Sequence, residues 1–105
     1  MARFDVYRNP AKTAKLFPYL LDVQSNHISG LATKIVVPLR VASSLKSIQI
    51  PVDLCPAFEI EKTKCFMDTP QLGAIQTREL THVVTTLAEK QSEIIAALDK
   101  VFGGY

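Results

Sequence analysis

Apolar and polar side chains alternate through much of the first two thirds of the chain, and the period then changes to that of a helix. Arg3-Phe4-Asp5-Val6-Tyr7 sets Phe4 and Val6 on one face and Arg3, Asp5 and Tyr7 on the other, the two-residue period of a half-buried strand. After a break at Asn9-Pro10, the same period returns from Leu16 to Gln24 with Phe17, Tyr19, Leu21 and Val23 in phase. Pro18 places that end of the strand at an edge or a bulge. A turn follows over residues 25–30. Thr33-Lys34-Ile35-Val36-Val37 is branched on both faces and predicts a central strand covered on both sides.

Signals between Pro38 and Pro56 are mixed, with helical spacing at Val41, Leu45 and Ile48 cut short by Pro51, so a packed excursion with one short helical turn is expected. Ala57 to Glu61 and Lys64 to Met67 flank Lys62-Thr63 and predict a hairpin, with Phe58 and Ile60 inward and Glu59 and Glu61 outward. A further short strand is expected between Gln71 and Leu80. Thr86-Leu87-Ala88-Glu89 has the form of a capping box, which starts a helix at about Leu87. Leu87, Ile94, Leu98, Val101 and Phe102 then share one face, and Gly103 is the expected stop. The class is mostly β with one C-terminal α-helix.

Composition narrows this picture. With 105 residues and 48% hydrophobic side chains, the chain is expected to form one domain over residues 1–105 with a core that needs no disulfide staples. No apolar run approaches the ~20 residues of a membrane span, so no membrane association and a cytoplasmic location are the default. Cys55 and Cys65 read as buried thiols. Residues 1–40 carry six Lys or Arg against two Asp, while the remainder carries six against eight Asp or Glu. That modest asymmetry suits an acidic partner better than direct sequence-specific binding of nucleic acid.

Catalytic constellations are nearly absent from the sequence. His27 and His82 stand in no metal spacing with the cysteines, and no phosphate-binding glycine loop occurs, so neither metal nor cofactor is expected. Glu59 and Glu61 read as a solvated sheet face, and His82 as a solvent-facing or core-satisfied imidazole. What stands out is the C-terminal segment Phe102-Gly103-Gly104-Tyr105, where apolar surface follows directly on the helix. Such a segment either packs back on the sheet or marks contact with a partner or a second copy.

Leu21-Asp22-Val23-Gln24-Ser25, then Val36-Val37-Pro38-Leu39, then Leu54-Cys55-Pro56, and finally the helix ending in Phe102-Gly103-Gly104-Tyr105 resemble, in order and spacing, the CcdB family of bacterial toxins. The resemblance implies a small SH3-like barrel of the CcdB/MazF type, assembled as a homodimer. It implies a toxin, not an enzyme, that binds the A subunit of DNA gyrase, traps the cleaved gyrase–DNA complex, and is neutralised by a cognate antitoxin. The family's gyrase-binding positions fall on Asp99, Phe102, Gly103, Gly104 and Tyr105, with a supporting turn at His27 and Ile28. An acidic, disordered antitoxin segment is expected to land on the basic N-terminal half at Arg8, Lys12 and Lys15.

The chain also departs from the family. Gly103 stands where the family's tryptophan stacks on an arginine of gyrase, and Tyr105 is expected to supply the missing ring. His27 replaces an isoleucine. Two alternatives follow: a MazF/Kid-like endoribonuclease on the same fold, and a retired toxin that binds only its antitoxin. For the ribonuclease, Arg3, Arg8, Lys12, Lys15 and Lys34 offer positive charge, but no acid–base pair is evident in the sequence.

Overall fold

The computed structural model describes residues 2–26, 30–44 and 51–103. Its seven strands are β1 (Asp5–Arg8), β2 (Tyr19–Asp22), β3 (Thr33–Val41), β4 (Ala57–Ile60), β5 (Thr63–Met67), β6 (Gly73–Gln76) and β7 (Val83–Thr86), and they precede one helix, α1 (Gln91–Val101). They form one antiparallel sheet in the order β4-β5-β3-β2-β1-β7, with β6 also on β3. The sheet curls into a half-barrel.

Strand β3 organises the sheet. One of its edges pairs with β2 over Val36 to Leu39, while the other pairs first with β6 over Thr33 to Val36 and then with β5 over Leu39 to Val41. Pro38, which has no N–H to give, lies where the second edge passes from β6 to β5. Its carbonyl still accepts from the Asp68 N–H at 3.0 Å. The expected strand was thus four residues too short, because extended backbone continues through the proline.

Both faces of the sheet are packed. Val6, Tyr19, Leu21, Val37, Leu39, Phe58, Ile60, Cys65 and Met67 fill the concave side, where α1 inserts Ile94 and Ala97. Tyr7, Leu20, Val36 and Leu80 form a second cluster on the opposite side, with Ile75 against it. Tyr7 therefore does not belong to a solvated face, as its alternation with Phe4 and Val6 suggested. Burial raises its phenol pKa to about 12, with smaller contributions from Asp5 and Asp22. Among the described residues no helix is long and apolar enough to cross a membrane.

Several expectations shift locally. Phe4 has φ +75°, so it precedes β1 as a kink instead of opening the strand, although its side chain is buried as predicted. A 3-10 turn over Lys12–Lys15 fills the gap before β2. Strand β7 was not anticipated. The Thr86 hydroxyl accepts from the Ala88 N–H at 3.3 Å, but the chain first makes a 3-10 turn (Ala88–Lys90), so α1 begins only at Gln91. The excursion after Pro38 holds a short 3-10 turn at Ala42–Ser44; its expected helical positions Leu45 and Ile48 lie outside the described residues.

The β4–β5 hairpin turns at Glu61 and Lys62, with φ +50° and +66°. Two consecutive positive φ values define the tight primed turn whose twist matches that of the strands, a conformation that favours Asn-Gly. Among the described residues the Lys62 side chain makes no hydrogen bond or ion pair, so Lys62→Gly is expected to raise stability by about 1 kcal/mol. A urea titration that shows no rise in midpoint would contradict this.

Candidate functional site

Helix α1 ends with a left-handed residue, Gly103 at φ +84°, whose N–H meets the Lys100 carbonyl at 3.3 Å. Lys100 itself reaches Asp53 at 3.2 Å, pinning the last turn to the segment before β4. Ile94 and Ala97 anchor the helix in the core, while Leu98 and Val101 are half-buried. Phe102 stays on the predicted face, with its N–H still bonded to the Leu98 carbonyl at 3.1 Å, but it is not buried there: its side chain is 73% exposed. Asp99 and Gly103 are exposed as well. Gly104 and Tyr105 lie outside the described residues, as do His27 and Ile28.

What the helix end faces is nevertheless visible. Leu98 and Phe102 line an open depression of about 350 Å³ together with Arg3, Val23, Gln24, Ser25, Ile35 and Leu72. Ser25 is two residues before His27. The fold thus brings the tip of the helix beside the start of the β2–β3 connection. A buried ion pair stiffens that start: Lys34 Nζ lies 2.5 Å from Asp22 Oδ2, and Asp22 Oδ1 accepts from the Gln24 N–H at 3.0 Å. Gln24 Oε1 in turn accepts from the Ile35 N–H at 3.2 Å.

The basic positions expected to meet an acidic partner divide. Lys12 and Lys15 are exposed on the 3-10 turn and make no ion pair among the described residues. Arg8, also exposed, is engaged: its guanidinium donates to Glu61 Oε2 at 2.7 Å. Lys34 and Arg3 furnish no open groove, since Lys34 is buried against Asp22 and Arg3 Nε donates to the Val23 carbonyl at 3.0 Å.

Glu61 is the residue whose role sequence reasoning missed. From the tip of the β4–β5 hairpin it reaches across to β1 and β2, where the Tyr19 hydroxyl donates to its Oε1 at 2.6 Å while Arg8 holds its Oε2. Arg8 and Tyr19 are registered opposite one another, so their side chains share a face. The Arg8 N–H donates to the His82 carbonyl at 3.0 Å, which sets His82 just before β7 on the far side of Arg8. The hydrogen bond from Tyr19, followed by that from Arg8, lowers the Glu61 pKa from the usual carboxylate range. Glu61 is therefore ionised at neutral pH. Tyr19 is pushed up to about 12, chiefly by burial and then by its bond to Glu61.

Cys55 and Cys65 are buried and free, as expected, and burial raises both thiols, Cys65 to about 11. Among the described residues no His, Cys, Asp and Glu cluster that could hold a metal ion occurs.

The half-barrel is similar to solved structures of an endoribonuclease in complex with its cognate antitoxin from Mycobacterial species, with TM-score 0.71 and 16% identity over 98% of this chain and 95% of that one. It is also similar to an endoribonuclease from Mycobacterial species, with TM-score 0.67 and 16% identity over 99% of this chain and 92% of that one. At that identity the likeness is one of fold. No curated protein sequence matches the chain. The family model described as CcdB protein matches residues 3–104.

Proposed function

This chain belongs to the CcdB family, the toxins of toxin–antitoxin systems, and from that premise we propose that it binds the A subunit of DNA gyrase and traps the enzyme on cleaved DNA. The observation that carries the reading is Phe102. A phenylalanine 73% exposed at the end of a helix whose preceding turns are anchored in the core is a rigid apolar projection, the kind of side chain that dominates protein contacts. Asp99 lies three residues earlier and projects beside it. The β2–β3 connection begins at Ser25, next to the same depression, which supports reading the helix end and that connection together.

The active form is a homodimer in this reading. Ile95 and Ile35 are also partly exposed, and an isologous pair through this side of the half-barrel would offer two helix ends to a twofold-symmetric target. The cognate antitoxin, an acidic segment that folds on binding, lands on Lys12 and Lys15. Arg8 joins them only by releasing Glu61. The protein works in the cytoplasm, where its target is.

A cleavage assay tests the proposal: supercoiled plasmid, gyrase, ATP and this protein, stopped with detergent and protease, beside a variant lacking residues 103–105. Linear DNA that depends on the intact tail is expected. No linear DNA at any concentration, from a folded protein and a gyrase that responds to another poison, removes the reading and leaves a retired or differently targeted toxin.

A second reading, RNA cleavage, is favoured by one observation. Glu61, Arg8 and Tyr19 bring an ionised carboxylate and a guanidinium together on an accessible rim.

A further inference from the structure

We propose that the open edge of β6 takes an extended acidic polypeptide segment as an added strand, held between Arg78 at one end and Lys12 and Lys15 at the other. The inference rests on the reading above that an acidic segment lands on Lys12 and Lys15. To that reading it adds the edge, the mode of pairing and a further cation.

Strand β6 joins the sheet through β3 alone. The Thr77 N–H donates to the Ala32 carbonyl at 2.8 Å, and the register continues with Gln76 opposite Thr33, Ile75 opposite Lys34, Ala74 opposite Ile35 and Gly73 opposite Val36. Backbone groups alternate in direction along a strand, so Gly73 and Ile75 direct theirs to β3 while Ala74 and Gln76 turn theirs outward. Among the described residues nothing pairs with that outer edge, and Gly73, Ala74 and Gln76 are exposed. Gly73-Ala74-Ile75-Gln76 also lacks the charge or proline that commonly guards an open edge. The two outermost strands are guarded instead: β4 carries Glu59 behind Pro56, and a bulge breaks the register of β7 with β1 between Val6 and Tyr7.

Strand addition draws affinity from main-chain bonds and selectivity from pockets beside the edge. Two depressions lie at the two ends of β6. One, of about 300 Å³, is lined by Gly73, Ala74 and Ile75 with Thr13, Phe17 and Leu20; the other, of about 380 Å³, by Gln76, Thr77 and Arg78 with Ala32 and Thr33. Thr13 sits between Lys12 and Lys15 in their 3-10 turn, and both lysines are exposed. Arg78 is exposed in the 3-10 turn (Thr77–Glu79) that follows β6, and it too makes no ion pair among the described residues. Unpaired cations thus stand at both ends of an uncharged edge.

These features select the occupant. The outward N–H and C=O groups of Ala74 and Gln76 match a peptide backbone, which donates and accepts in turn, whereas the phosphates of a nucleic acid only accept. A second copy fits worse, because twofold pairing of two β6 edges sets the Arg78 end of one copy against the Lys12 and Lys15 end of the other, like charge against like. An acidic segment is attracted at both ends, and its apolar side chains at alternate positions reach the depression floored by Phe17 and Leu20.

The test measures fluorescence anisotropy of a short labelled peptide, acidic at both ends and alternating valine with threonine between, against the full chain. Saturable binding that weakens with salt is expected. Ala74→Pro deletes an outward N–H and leaves the ladder with β3 intact, so a variant that circular dichroism shows to be folded should bind roughly tenfold more weakly or worse. A fully N-methylated peptide, which cannot donate, should not bind, and this arm needs no change in the protein. Arg78→Ala, and Lys12→Ala with Lys15→Ala, should each weaken binding several-fold. Binding that ignores both Ala74→Pro and N-methylation but falls with the lysine variants overturns strand addition and leaves the acidic landing site standing. Binding indifferent to salt and to the three cations overturns that reading as well. No binding of the peptide, or a single-stranded RNA that binds the parent and not the Ala74→Pro variant, overturns the assignment of this edge to an acidic peptide.

Discussion

Replacing Asp22 with Asn should lower the unfolding free energy by about 3–5 kcal/mol, the cost of stranding one member of a buried ion pair. Asp22 is wholly buried and Lys34 nearly so. The Lys34 ammonium sits 2.5 Å from Asp22 Oδ2, and no other carboxylate pairs with it among the described residues. Asparagine keeps the acceptor that serves the Gln24 N–H and changes the volume little, so the loss isolates the charge. With a urea dependence of about 1–3 kcal/mol per molar, the midpoint should fall by more than 1 M. Adding Lys34→Met to the same chain should recover much of the loss, since the pair as a whole offsets its own desolvation only partly. A single variant with an unchanged midpoint would show that water reaches Lys34.

The same pair has a functional consequence. Asp22 closes β2, and the bonds from it through Gln24 to Ile35 fix where the chain leaves the sheet toward His27. A weakened Asp22 therefore disturbs the flank of the helix-end depression as well as stability.

How much of this was legible in the sequence depends on whether a residue's partner is nearby. Strands β4 and β5 were readable because each has one face in the concave core, which enforces period two along the strand, whereas β2 is buried on both faces. Central β3 was readable from branched residues on both sides. Strand β7 was missed although Val83-Val84-Thr85-Thr86 is β-branched throughout: it is an edge strand, only half-buried at Val84, so no alternation marks it. Tyr7 was misplaced because the second cluster that covers it is built from Leu80 and Ile75, far along the chain. The helix end was found by composition, but the exposure of Phe102 was not, since a 3.6-residue period gives the face a residue lies on and not whether the sheet extends beneath the last turn. Glu61 was the hardest. It meets Tyr19 and Arg8 across 42 and 53 residues of sequence, and the local pattern shows only a charged hairpin tip.

Phe102→Ala should separate folding from partner binding more sharply than any other single change. A ring 73% exposed contributes little to the core, so the thermal midpoint should stay within the range of ordinary surface substitutions, about 0.5 kcal/mol either way. If the helix end is the contact surface, the same ring is its anchor, and truncation should weaken binding to the gyrase A subunit by at least about 2 kcal/mol, roughly thirtyfold in Kd. Calorimetric titration of the variant against that subunit reads the second effect and a melting curve reads the first. A large drop in melting temperature would mean that Phe102 packs on the sheet in solution. An unchanged Kd, with an unchanged melting curve, would take the contact away from the helix end. Sedimentation equilibrium on the same samples closes the remaining route, because a ring spent on a contact between two copies of the chain would shift the variant toward monomer at low concentration. Loss of gyrase binding by a variant that melts and sediments like the parent leaves one assignment for Phe102: it is the side chain that the target holds.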